Sequence, residues 1–157
     1  MNHFFVFERS DGGISIVVPS EGSRREEETE EDWLLRVKEK TVTSLPHLKN
    51  AKELLTNILP SNRRFRNCWR DPGDGTVKVD MTLARDQRMA EIRTERGRRF
   101  AAFDAEWMKA TGRKNAARAD AVESVRQQLR DVPQNVDLEG IAAPEELEAF
   151  QPEWPGV

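Results

Sequence analysis

The 157-residue chain is poor in several residue types on which common folds and sites depend. It has one cysteine, two histidines and no tyrosine, so it can form no internal disulfide and offers too few ligands for a zinc site of the Cys/His type. It also lacks an apolar run near the ~18–20 residues of a membrane span, and its start lacks the pattern of a signal peptide. We therefore expect a soluble, intracellularly made protein.

Apolar residues are scarce as well. Hydrophobic residues make up 37% of the chain, below the ~45–50% of ordinary globular domains, and charged residues make up 34%. The length suits one domain or two very small ones and excludes a large multidomain enzyme. This composition predicts an elongated, partly helical protein rather than one large core.

Motifs that carry catalysis are missing too. The chain has no P-loop, no dinucleotide-binding glycine pattern, no HExxH and no calcium loop. Only Cys68 with His3 or His47 could form a nucleophile and base pair, and the strand-like setting of Cys68 is typical of a buried side chain. We predict a protein that is not an enzyme and that binds no metal, cofactor or small-molecule substrate.

Charge is distributed unevenly. Residues 1–32 hold three basic and nine acidic residues, residues 33–130 twenty-two and twelve, and residues 131–157 none and seven. The basic middle could be neutralised by the acidic ends on folding, or it could face an acidic partner, and composition leaves both open.

The first 80 residues predict a small α+β domain. Strand-like runs at 3–9 and 14–18 flank an Asp-Gly-Gly turn and predict a β-hairpin. An acidic segment follows, whose first half we interpret as a linker, and then a short helix from a Thr29 cap through Thr41. Residues 49–58 suit a short helix or strand-like pieces, and we favour the helix. Residues 63–70 and 76–80 predict a second hairpin.

Two helices dominate the rest of the chain. The first runs from an N-cap at Asp80 or Thr82 through about Thr111, and the second ends at Pro133. Their apolar residues recur every three or four positions, which predicts an αα-hairpin over 81–132. An acidic tail with a short helix starting at Pro144 covers 133–157. The predicted fold class is therefore α+β.

The apolar seams of this hairpin are thin, which indicates that a partner, a second copy or the N-terminal domain completes their packing. Phe150 and Trp154 either dock back on the hairpin or form a linear motif for another protein. The predicted partner-binding residues are Met89, Ile92, Phe100, Phe103, Trp107, Val122, Val125, Leu129, Phe150 and Trp154.

A nucleic-acid surface is the alternative. Arginines interleaved with aromatic rings can hold single strands, and the candidates are Arg63, Arg64, Arg66, Trp69 and Arg70. The same alternation is typical of a strand with one buried and one solvated face, which we favour.

Three stretches carry a family resemblance: residues 5–17 (FVFERSDGGISIV), residues 65–70 (FRNCWR) leading to Val79-Asp80-Met81, and QLRDVP at 128–133 with PEEL at 144–147. Together they resemble small proteins of tailed bacteriophages and prophages, some of them similar to tail-fibre assembly or tail-assembly chaperone proteins.

The resemblance implies a non-enzymatic phage protein that binds a tail or fibre protein or itself. It would act as an assembly factor in the host bacterial cytoplasm or remain in the virion as a minor tail or baseplate component. The alternative function is a nucleic-acid-binding or host-defence-inhibiting phage regulator that uses the basic middle segment.

Overall fold

A computed structural model describes residues 3–55 and 59–156, without the side chains of residue 3 and residues 52–55. The chain divides into two compact units, Met1–Asp80 and Met81–Val157. The elements, in chain order, are β1 (His3–Glu8), β2 (Ile14–Val17), α1 (Glu30–Ser44), β3 (Lys49–Leu55), β4 (Trp69–Arg70), β5 (Lys78–Val79), α2 (Met81–Gly112), α3 (Ala116–Asn135) and α4 (Pro144–Ala149). The predicted α+β fold class is confirmed.

The N-terminal unit is built around β1, the central strand of a three-stranded antiparallel sheet with the order β2-β1-β3. Successive side chains of a strand point to opposite faces. Phe4 and Val6 accordingly pack with Trp69 of β4, on one face of the sheet. On the other face Phe5 and Phe7 pack with a second apolar cluster, in which Trp33, Leu34 and Leu48 are the other buried members. Both faces of β1 are buried, which explains its continuous apolar sequence.

The predicted first hairpin is confirmed. The backbone N–H of Arg9 donates to the carbonyl of Gly13 at 2.8 Å, and Gly12 adopts a φ of 73°. The Asp11 carboxylate accepts a hydrogen bond from the backbone of Gly13 at 2.8 Å. Hydrogen bonds from the Arg9 side chain, and then from Gly13, hold the pKa of Asp11 below its ordinary value. A glycine is required at position 12 because other residues adopt this backbone conformation only with strain.

The helix predicted from the Thr29 cap is also confirmed. The Thr29 hydroxyl accepts a hydrogen bond from the backbone N–H of Asp32, and the helix continues to Ser44 rather than ending at Thr41. The preceding segment is more ordered than a plain linker. It contains a 3-10 turn at Glu21–Ser23, and Glu28 forms a salt bridge with Arg36 at 2.6 Å.

The helix favoured over 49–58 is wrong where the structure describes these residues. Lys49–Leu55 form β3, which pairs antiparallel with β1, and residues 56–58 lie outside the described residues. Asn50 has a φ of 51°, which a helix does not accommodate, and it lies where the β1–β3 register shifts. Its side-chain amide donates to the Glu8 carboxylate at 2.6 Å.

The second hairpin is present but shorter than predicted. β4 and β5 pair antiparallel over two residues each, Trp69 with Val79 and Arg70 with Lys78. Arg66–Cys68 form a 3-10 turn instead of the start of a strand. Asp74 in the connecting loop accepts a hydrogen bond from Lys78 at 2.6 Å. This bond, and a second one from the Thr76 hydroxyl, lower the pKa of Asp74 to about 2.

The C-terminal unit is an αα-hairpin followed by a tail. α2 and α3 pack against each other, as predicted, and a three-residue loop joins them. The predicted stop of α3 before Pro133 is wrong, because Pro133 lies inside the helix, which continues to Asn135. A proline removes one backbone donor, and burial of Val132 and Leu138 on either side of it helps to offset this loss near the helix end. α4 begins at Pro144, as predicted.

Candidate functional site

The seam between α2 and α3 is largely closed within the C-terminal unit. Four of the predicted partner-binding residues are almost completely buried: Ile92, Val122, Val125 and Leu129, with exposures of 2%, 0%, 6% and 0%. A side chain without exposed surface cannot bind a partner unless the unit opens. The structure therefore gives these four residues a core role, and their predicted contact with a partner stays a prediction that requires the unit to open.

The other predicted α2 residues keep part of their surface. Met89, Phe100, Phe103 and Trp107 are half-buried. Phe100, Phe103 and Trp107 recur at steps of three and four and so share one side of α2. These three residues form the aromatic row of α2, which keeps exposed surface after α2 and α3 have packed together.

Arginines of α3 cover part of this row. The guanidinium carbon of Arg126 lies 5.2 Å from the centre of the Trp107 ring, and that of Arg130 lies 5.8 Å from the Phe100 ring. Arg126 also forms a salt bridge with Asp104 at 2.8 Å. Cations placed over aromatic faces in this way contribute about 0.5–1 kcal/mol each at exposed sites.

Carboxylates hold these α3 arginines in place. Glu123 forms salt bridges with both Arg126 and Arg130. The hydrogen bond from Arg130, followed by the charge of Arg126, holds the pKa of Glu123 below its ordinary value. The α2–α3 contact is therefore an apolar seam bordered by arginine–aromatic and arginine–carboxylate contacts.

The C-terminal tail lies against α2 rather than extending as a free linear motif. Arg85 donates to the carbonyl of Ile141 at 2.8 Å, and Arg88 donates to the carbonyl of Phe150. The Arg99 guanidinium carbon lies 4.6 Å from the Trp154 ring centre. Of the two predicted arrangements, docking on the hairpin is the one observed.

Arg88 is the most deeply buried of these anchors, with 7% of its surface exposed. It pairs with Glu91 at 2.9 Å, while its Nε finds no hydrogen-bond acceptor among the described residues. An arginine buried in this way is costly to disturb, because loss of either partner leaves a polar group unpaired. Leu147 and Leu138 supply apolar contacts of the tail and are 0% and 5% exposed.

Sequence reasoning missed the role of these arginines because α2 carries further arginines at positions 93, 96 and 98, so that basic residues are spread around the helix. The available signal was their spacing, since positions 85, 88 and 99 recur at helical intervals on one side of α2. A second signal was the tail itself, because residues 133–157 have six acidic residues and no basic residue.

A cleft of about 620 Å³ opens between the end of α3 and the last residues of the tail. Val132, Val136, Phe150 and Trp154 supply much of its apolar lining, and Asp137 and Glu153 lie among its polar residues. The two tail aromatics predicted to bind a partner therefore line one concave surface, and each is half-buried.

The alternative nucleic-acid residues do not form a stacking platform. Phe65 and Trp69 are 0% and 3% exposed, and Trp69 packs in the core of the N-terminal unit. Arg63, Arg64 and Arg66 are exposed, whereas Arg70 is half-buried and donates to the carbonyl of Trp69 at 2.8 Å. A base can stack only on an exposed ring face, so this geometry favours the structural interpretation in which the aromatic rings are buried, although only Trp69–Arg70 of the segment form a strand.

Cys68, His3 and His47 were the candidates for a nucleophile and base pair. Cys68 is buried, His47 is exposed, and the side chain of His3 lies outside the described residues. Within residues 3–55 and 59–156, no three His, Cys, Asp or Glu side chains are grouped so that they could hold a metal ion. None of the described helices has a stretch both long enough and apolar enough to span a lipid bilayer.

Comparison with protein families gives a match to the C-terminal unit. Residues 83–157 match the family of phage tail assembly chaperone proteins, and this range covers nearly all of the C-terminal unit. Comparisons with curated proteins and with solved structures gave no match. The resemblance predicted from the sequence is confirmed: through its helical hairpin and tail, this protein is similar to phage tail assembly chaperones.

Proposed function

We propose that the protein is a non-enzymatic assembly factor for a bacteriophage tail, which binds a tail protein transiently in the host cytoplasm. The observation that carries this proposal is the family match over residues 83–157, because its limits nearly coincide with those of the helical unit. The N-terminal unit lies outside the match, so the proposal concerns the hairpin and the tail.

The partly open side of α2 is the proposed contact surface. Phe100, Phe103 and Trp107 offer aromatic area next to cationic and carboxylate groups, a composition typical of protein interfaces. Phe150 and Trp154 add a second apolar surface in the cleft of the tail. Met89, which is also half-buried on α2, is included in the proposed contact surface. These six residues are what remains of the predicted partner surface once the four core residues are removed.

A transient assembly factor and a minor tail or baseplate component make opposite predictions about the finished particle. Quantitative mass spectrometry should be done on gradient-purified phage particles and on the particle-free lysate. We expect the protein in the lysate in complex with a tail protein, and no fixed copy number in particles. A constant copy number per particle would overturn the transient role in favour of a virion component.

The contact surface needs a separate test. Phe103→Asp should reduce recovery of the tail protein from the lysate, because it places a charge on the aromatic row. Ala102→Asp is a matched control, since Ala102 is an exposed neighbour on the same helix. Equal recovery with both variants would show that the row is not the contact surface.

A further inference from the structure

Five large apolar side chains of the described residues remain exposed, and four of them lie on α2 or on or at the end of α1. Among the described residues Met108 is 68% exposed and lies near the end of α2, while Leu35, Val42 and Leu45 are 53%, 44% and 40% exposed and lie on or at the end of α1. Val18, after β2, is also exposed. Exposed apolar surface that is grouped in this way commonly marks an interaction site.

The hairpin tip, defined as Met108, Lys109, Arg113 and Lys114, combines this apolar side chain with positive charge. All four residues are exposed, and the three cations have no ion-pair partner in the part of the chain that the structure describes. Elsewhere in the hairpin, arginines such as Arg118 and Arg126 are paired with carboxylates. The tip is therefore a place where positive charge of the hairpin is left without compensation.

The outer face of α1, defined as Glu31, Leu35, Glu39 and Val42, has the opposite charge. Positions 31, 35, 39 and 42 recur at steps of four and three and share one side of the helix. All four residues are exposed, whereas Trp33 and Leu34 face the core. The half-buried Lys38 lies at one edge of this face, which otherwise alternates carboxylates with apolar side chains.

We propose that the hairpin tip of one molecule binds the outer face of α1 of a second copy. Met108 would lie between Leu35 and Val42, and the tip cations would face Glu31 and Glu39. Both surfaces are exposed in a single chain, and they complement each other in charge and in apolar character. Because the two surfaces differ, the contact is head to tail and can be repeated along a chain of copies.

This association does not depend on the assembly role, and its test needs no other protein. Sedimentation velocity of the full chain at low salt should show self-association that increases with concentration and weakens as salt is raised, since exposed charge pairs are screened. The double variant K109E/R113E should weaken it by about tenfold or more, because two attractive contacts become repulsive.

Two further variants make the test specific. R63E/R66E changes the net charge equally at two exposed arginines of the N-terminal unit, which belong to neither proposed surface, and should leave the association unchanged. E31K/E39K should weaken the association as the tip variant does. An equimolar mixture of the two weakened variants should associate again, because the acidic tip of one variant then meets the basic α1 face of the other. Circular dichroism of each variant checks that both helices are retained.

The outcomes decide the proposal. Recovery in the mixture, with the control unaffected, supports the head-to-tail contact. A chain that stays monomeric at low salt and high concentration overturns it. It is overturned equally if the control weakens association as much as the tip variant, or if the mixture fails to associate.

Discussion

The burial difference between Ile92 and Phe103 gives the sharpest prediction about the helical unit. Both residues belong to α2, but Ile92 is 2% exposed whereas Phe103 is half-buried. Replacing Ile92 with alanine removes about three buried carbon groups at ~0.8 kcal/mol each. A cavity adds to this loss, and large-to-small changes in cores cost about 2–5 kcal/mol. We therefore expect Ile92→Ala to cost about 3–4 kcal/mol.

This cost is large for the unit. At ~0.05–0.15 kcal/mol per residue, a unit of this length has a stability of about 4–12 kcal/mol. Phe103→Ala should cost only about 1 kcal/mol, the typical value for a point substitution that neither opens a core cavity nor buries a polar group. Ile92→Asp should be worse still, because a carboxylate would have to be buried or the hairpin opened.

Urea unfolding of the full chain, followed by circular dichroism at 222 nm, measures the difference. The signal reports mainly on α2 and α3, which hold 32 and 20 residues against 15 in α1. With an m-value of about 1–3 kcal/mol per molar urea, Ile92→Ala should lower the midpoint by about 1 M or more. An equal shift for Ile92→Ala and Phe103→Ala would refute the division of the seam into core and partner surface.

The remaining predictions concern the tail, the acidic segment and the first turn. Arg88→Met should expose residues 150–156 to proteolysis, because the carbonyl of Phe150 loses its donor, whereas Arg93→Met, at an exposed position of α2, should not. The hydrogen bond from Arg36 lowers the pKa of Glu28 to about 2, so its stabilisation is present above the ordinary pKa of 4.5 and is lost as pH falls toward 2. The melting temperature of Glu28→Gln should consequently fall less than that of the wild type over this range, and a parallel fall would contradict the assignment. Gly12→Ala should lower stability by about 1 kcal/mol in the same urea assay because of the positive φ at this position, and an unchanged midpoint would be evidence against that strain.

Several elements could be predicted because their signals are local. The Asp-Gly-Gly turn, the Thr29 cap and Pro144 at the start of α4 each specify a backbone conformation through neighbouring residues. The apolar seams of α2 and α3 could be predicted for the same reason, since a helix repeats its contacts every three to four residues. The candidate site was identified in part: the sequence indicated which residues are apolar, but not which of them the hairpin would bury.

β3 shows where local signals fail. Lys49–Leu55 has a sequence compatible with a short helix, yet it is a strand because β1 is central and requires a hydrogen-bonding neighbour on each side. The prediction that α3 ends before Pro133 was wrong for a related reason. A proline predicts a helix end, but α3 continues to Asn135, and Val132 and Leu138 are buried on either side of Pro133.

The sequence by itself determined the composition of the protein, its charge distribution, its long helices and its resemblance to phage tail assembly chaperones. Tertiary structure alone decided that Ile92 and Leu129 belong to the core, while Phe103 keeps an accessible side. It also decided that Arg85, Arg88 and Arg99 anchor the acidic tail. The physical reason is that helix propensity and periodicity act between neighbours in the chain, whereas burial and ion pairing depend on residues that only folding brings together.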